Sequence, residues 1–118
     1  MKTILVIVLI FIGGIQAFGQ GIEFFKGDYN AALEKAKQEG KMLFVDFYVD
    51  WCGPCKRLAK DVFTLEAVGN YFNEKFVSIQ IDAENPANRQ VVEQNKVRSY
   101  PTLAFFDADF TVSLGRSS

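Results

Sequence analysis

Three short apolar runs, at residues 42–49, 76–81 and 102–107, alternate with stretches carrying helix signals, and this alternation constrains the fold more than any other feature. The first run is almost continuously apolar and reads as a buried strand. In the second, Val77, Ile79 and Ile81 alternate with Ser78 and Gln80, the period-two pattern of a strand. The third is followed by Asp107-Ala108-Asp109, a turn that predicts a hairpin with residues 110–114. Asp28 is a candidate N-cap for a helix ending near Glu39, with Gly40 as its stop. Pro54 suits the first turn of a helix expected to end near Phe63. Thr64 and the following Leu65-Glu66-Ala67-Val68 begin a second helical piece, and Asn85-Pro86 opens a helix to about Asn95. Helices alternating with strands and finishing in a hairpin indicate an α/β sandwich, with helices flanking a central mixed sheet.

Composition narrows the chemistry. The length of 118 residues suits one domain, and 49% hydrophobic with 23% charged residues is the balance of a foldable globule rather than a disordered chain. There is no histidine, which excludes Ser-His-Asp and Cys-His nucleophilic catalysis and His-ligated metals. Two cysteines are too few for an all-cysteine zinc site or an iron–sulfur cluster within one chain. With 13 basic and 14 acidic residues, the chain has no electrostatic footprint for nucleic acid. No cofactor, metal or nucleic-acid partner is expected.

The N-terminus is set apart from this pattern. Lys2 precedes an unbroken apolar run at residues 4–12, Gly13-Gly14 interrupts it, and Ala17-Phe18-Gly19 places small residues where a leader peptidase would cut. Residues 1–19 therefore read as a secretory signal peptide cleaved before Gln20, leaving residues 20–118 as the folding domain. The competing readings are a buried N-terminal helix and an uncleaved membrane anchor, the anchor favoured by the absence of charge from Thr3 to Ile22. Against the anchor, the apolar core falls well short of the roughly 20 residues that span a bilayer. Export makes a disulfide an available state for the cysteines.

The candidate chemistry lies at Trp51-Cys52-Gly53-Pro54-Cys55-Lys56. A thiol just before a helix is stabilised as thiolate by unpaired backbone N–H groups and the helix dipole. Cys52 in that place would be the exposed, attacking sulfur, and Cys55 in the first turn the buried, resolving one. Gly53 permits close approach, and Pro54 stiffens the loop without removing a needed donor. Three other readings stand beside this one: half of an intermolecular metal site, a structural disulfide, or two unrelated buried thiols. The spacing alone suits metal ligation as well. A structural clip is poorly motivated, because so short a loop constrains the unfolded chain little. Asp46, inside the first apolar run, would have its pKa raised by desolvation and exchange protons near neutrality, or else pair with a neighbouring cation. Trp51 reads either as a core aromatic or as a contact beside the thiols. The many phenylalanines read as core.

The segment from Phe44-Val45-Asp46-Phe47-Tyr48 through Val49-Asp50-Trp51 to Cys52-Gly53-Pro54-Cys55-Lys56 resembles the active-site segment of the thioredoxin superfamily. Ser99-Tyr100-Pro101-Thr102 resembles that family's second signature, a cis-proline loop facing the cysteines. The Tyr-x-Asp-Trp-Cys wording is similar to the exported thioredoxin-like domains found at the C-terminus of the thiol:disulfide interchange protein DsbD. The resemblance implies a three-layer thioredoxin-like sandwich and a role for Asp46 in deprotonating Cys55. It implies that the family's lysine partner of this aspartate is replaced by Ser78. It also implies a cis Pro101 that presents the Tyr100 backbone to an extended client and keeps metal ions off the thiols, and a Trp51 that contacts partner proteins. A full fold of this family closes with a helix after the hairpin; the sequence stops at Gly115-Arg116-Ser117-Ser118, where that helix is expected to begin, so a fragment or an exposed apolar face is expected.

The function implied is an exported, periplasmic thiol–disulfide oxidoreductase that reduces protein disulfides through Cys52 and Cys55. Gly53-Pro54, without a histidine, resembles the reducing thioredoxin type rather than the strong oxidants. Its partners would be oxidised protein clients and a membrane thiol protein that donates electrons, with no stable membrane insertion unless residues 1–19 stay attached. The alternatives are a non-catalytic thioredoxin-fold binding module, or an oxidase or isomerase using the same dithiol.

Overall fold

The computed structural model of the protein describes residues 21–108 and the backbone of 112–117. The expected leader, residues 1–19, lies outside the described residues. The first helix, α1 (Tyr29–Glu39), begins where Asp28 accepts the Ala31 N–H on its side chain at 2.8 Å. It ends at Gly40, whose N–H reaches the carbonyls of Ala36 and Lys37 and whose left-handed φ of 65° turns the Lys41 N–H back onto the Ala36 carbonyl at 2.9 Å.

The chain then runs through β1 (Met42–Tyr48) into α2 (Gly53–Asp61) and α3 (Glu66–Lys75). β2 (Phe76–Asp82) follows, then a 3₁₀ turn at Pro86–Asn88, α4 (Arg89–Gln94), β3 (Thr102–Asp107) and β4 (Val112–Ser117). The sheet order is β2-β1-β3-β4. β2 is parallel to β1, and the α2–α3 crossover is what a parallel pair requires. β3 is antiparallel to β1, and β4 antiparallel to β3. The five residues from Leu43 to Phe47 are all buried, as a central strand covered on both faces must be.

Each face has its own core. On one, Leu43, Val45 and Phe47 pack with Val77, Ile79, Ile81, Ala104 and Phe106 against Ala32, Leu33 and Ala36 of α1 and Val91 of α4. On the other, Phe44 gathers an aromatic cluster, with ring centres 4.9 Å from Phe72, 5.1 Å from Phe105 and 6.0 Å from Phe63. Helices over both faces make a three-layer sandwich.

Three boundaries differ from the sequence reading by more than one residue. The helix α2 stops at Asp61 rather than near Phe63, because Phe63 turns inward to the Phe44 and Phe24 rings and its carbonyl accepts from Ile22 N–H at 2.7 Å. The helix expected from Asn85 divides into the 3₁₀ turn and α4; Asn85 caps the turn by accepting from Ala87 N–H at 3.0 Å, and Asn88 Nδ2 is drawn to the Asp82 carbonyl at 2.9 Å. The second strand of the hairpin spans Val112–Ser117, so Gly115, Arg116 and Ser117 are strand rather than the opening of a helix, laddered to β3 through a bulge at Phe105/Phe106.

Candidate functional site

β1 ends at Tyr48 and delivers the chain into the Val49-Asp50-Trp51 turn, where Cys52 N–H closes on the Val49 carbonyl at 3.2 Å. Cys52 is the N-cap of α2, in extended backbone, with Pro54 in the first turn. Cys52 and Cys55 form a disulfide with Cα atoms 5.3 Å apart. The Cys55 N–H donates to Cys52 Sγ at 3.1 Å. A proton donor and a helix N-terminus therefore converge on the Cys52 sulfur, the arrangement that favours a thiolate there once the disulfide opens.

The expected difference in exposure is not seen. Cys52 is 4% and Cys55 5% exposed. In the disulfide form both sulfurs are drawn into one cluster with Val49, against which Tyr48, Ala83 and Tyr100 pack. What distinguishes the two thiols is place along α2: cap for Cys52, first turn for Cys55. Gly53 and Pro54 between them are exposed.

Trp51 is 68% exposed, which rules out the core reading. Its indole N–H donates to both carboxylate oxygens of Glu84 at 3.0 Å, and its ring meets Tyr100 edge-on at 6.2 Å. Sequence reasoning passed over Glu84. The parallel pairing of β1 and β2 brings the loops after them side by side, with Ala83 N–H on the Tyr48 carbonyl at 2.8 Å, so Glu84 falls next to Trp51. The Tyr100–Pro101 peptide bond is cis. The loop before β3 is tied by Thr102 Oγ1 donating to the Ser99 carbonyl at 2.7 Å, and Tyr100 rests on the cysteine cluster.

Asp46 is 1% exposed. Burial pushes its carboxyl up to about 6, opposed by a hydrogen bond from Gln80. That bond runs from Gln80 Nε2 to Asp46 Oδ2 at 3.2 Å, and among the described residues Oδ1 has no hydrogen-bond partner. Asp46 and Cys55 line one cavity of about 250 Å³ together with Tyr48, Asp50, Lys56 and Gln80. The expectation that Ser78 stands in the partner position is corrected by the register. Ser78 lies opposite Phe44, and Gln80 lies opposite Asp46. Both polar residues of β2 share a face, so alternation alone does not choose between them. Among the described residues, no three His, Cys, Asp or Glu side chains converge on a metal-binding point.

Residues 24–108 match a family model described as thioredoxin-like. The chain belongs to the thioredoxin-like family. It is 35% identical to Thioredoxin-1 of Drosophila melanogaster over 78 residues, 66% of each chain. It is 34% identical to the thiol:disulfide interchange protein DsbD of Vibrio cholerae over 83 residues, which is 69% of this chain but 14% of DsbD. The chain thus spans 66% or less of the length of these relatives. The solution structure of a Bacteroides thetaiotaomicron protein assigned as a disulphide-isomerase superposes with a TM-score of 0.72 at 39% identity, covering 85% of this chain and 82% of that one. A thioredoxin from Thermus thermophilus gives the same TM-score, 0.72, at 21% identity, covering 83% of this chain and 75% of that one, a likeness of fold.

Proposed function

We propose that the protein is an exported thiol–disulfide oxidoreductase that reduces disulfides in client proteins. The observation carrying this reading is the Cys55 N–H on Cys52 Sγ at the N-terminus of α2. In the forward direction the Cys52 thiolate attacks a client disulfide, and one client sulfur leaves as a thiolate that takes up a proton. Asp46 accepts the proton of the Cys55 thiol. The Cys55 thiolate then attacks Cys52 Sγ in the mixed disulfide, the second client sulfur leaves, and the Cys52–Cys55 disulfide remains. Two electrons have passed to the client. Trp51, Gly53, Pro54 and the Tyr100-Pro101 backbone would form the surface on which an extended client segment lies, hydrogen-bonding like an added strand.

The exported reading rests on residues 1–19 as a leader, with residues 20–118 as the thioredoxin-like domain, and on the likeness to DsbD. Among the described residues no helix is long and apolar enough to cross a membrane. In the periplasm a reductant has to be recharged after each turnover, so a membrane thiol protein is the partner that suits it.

Insulin reduction by dithiothreitol, run beside Cys52→Ser, tests the activity; equal turbidity rates would put the binding-module reading ahead. The direction is tested by equilibrating the dithiol with glutathione. A potential near about −270 mV supports a reductase, whereas one near about −120 mV makes the protein an oxidant. The relative assigned as a disulphide-isomerase favours a second reading, isomerisation by the same dithiol. Recovery of activity from scrambled ribonuclease supports that reading.

A further inference from the structure

Gln80 is the side chain that holds the Asp46 carboxylate, and the reaction as written gives it no task. The parallel register sets it opposite Asp46, and its amide nitrogen donates to Oδ2 at 3.2 Å. Asp46 is buried while Gln80 is exposed, and both line the cavity that Cys55 also borders. With Oδ2 engaged, Oδ1 is the carboxylate oxygen without a hydrogen-bond partner among the described residues, and so the one open to a proton.

We propose that Gln80 is a positioning residue for the resolving proton, partnering Asp46 in both of its protonation states. A primary amide carries a donor NH₂ and an acceptor carbonyl. Toward the carboxylate, Gln80 donates through Nε2, as seen here. Toward the carboxylic acid, rotation of the terminal amide presents Oε1 as acceptor. A lysine in this place would only donate, and its charge would hold Asp46 ionised; a leucine would do neither. A carboxyl that has to cycle between the two states is served by an amide.

The other groups around Asp46 are few. β1 and the turn after it contribute Tyr48 and Asp50, and α2 contributes Cys55 and the cation Lys56. β3 places Leu103 opposite Asp46. Burial raises the Asp46 carboxyl and the Gln80 hydrogen bond opposes it, so the two strongest influences come from the fold and from this one side chain.

The inference rests on Asp46 as the base for Cys55, and two measurements separate them. The first is a carbon-13 titration of the Asp46 carboxyl in the oxidised full chain, for the parent, Gln80→Leu and Gln80→Lys. The second follows reduced protein mixed with 5,5′-dithiobis(2-nitrobenzoate), where Cys52 attack releases one thionitrobenzoate and Cys55 attack releases a second. Gln80→Leu is expected to raise the Asp46 midpoint by about one pH unit and slow the second release about fivefold near pH 6, as the ionised fraction falls. Gln80→Lys is expected to lower the midpoint, and opposite signs are not the mark of a general loss of structure. A midpoint unmoved in both variants overturns the role of Gln80. An Asp46→Asn protein that releases the second thionitrobenzoate at the parent's rate overturns Asp46 as base, and the relay role of Gln80 with it.

Discussion

Asp46 sits in the middle of the central strand and is 1% exposed. A carboxyl in the run Leu43-Phe44-Val45-Asp46-Phe47 is buried whatever the details, so its raised pKa follows from the strand alone. Folded Asp46 keeps its proton to about pH 6, whereas the unfolded chain loses it near the ordinary value of 3.8. The folded state therefore binds the extra proton between those values, and the stability this confers is full below pH 3.8 and lost as pH rises through about 6. At pH 7 ionised Asp46 is a burden of about 3 kcal/mol. Asp46→Asn is expected to stabilise the oxidised protein by about that amount at pH 7 and hardly at all at pH 3.5. Urea denaturation at the two pH values checks this; a gain of equal size at both would show that ionisation is not its source. Ser78 and Gln80 both face the Asp46 side of β2, and only the strand register decides that Gln80 is the partner.

The ends of the elements divide the same way. Local chemistry marks α1, because Asp28 and Gly40 act on backbone groups within four residues of them. The docking of α3 is not local. Gly69 is buried against the backbone of Gly21, where an added Cβ would stand 2.2 Å from the Gly21 oxygen. Asn73 fastens the same segment, donating to the Gly21 carbonyl at 3.1 Å and accepting from Glu23 N–H at 2.8 Å. In an exposed helix, Gly→Ala would gain about 1 kcal/mol from propensity. Here the contact is with backbone, which has no rotamer to move, so steric cost wins. Gly69→Ala is expected to destabilise by about 2 kcal/mol, with a lowered Tm in thermal unfolding. Phe44→Ala, emptying the centre of the aromatic cluster, is expected to cost about 3–5 kcal/mol by the same measurement.

At the scale of the whole molecule, the sheet order explains why the site is one place. β1 and β2 are parallel and β3 runs against them, so the ends of β1 and β2 and the start of β3 lie at one edge of the sheet. The disulfide turn, the Glu84 loop and the Tyr100-Pro101 loop meet there, and on the proposed function this is where a client would approach. Glu84 holds the exposed indole of Trp51 in this assembly. Glu84→Ala is expected to lower kcat/KM for insulin reduction about fivefold, roughly 1 kcal/mol, with the Cys52–Cys55 potential unchanged. A shifted potential would mean that Glu84 acts on the sulfurs rather than on the client surface. By itself the sequence determined the succession of strands and helices, the caps of α1, the buried carboxyl and the thiol pair at a strand–helix junction. Those depend on periodicity and on interactions between near neighbours. Only the tertiary structure decided that Gln80 rather than Ser78 partners Asp46, that both sulfurs are equally buried, that Gly69 seats α3 and that Glu84 clamps Trp51. Each of these joins residues far apart in the chain, and strand register and helix packing, which set such distances, depend on the whole fold at once.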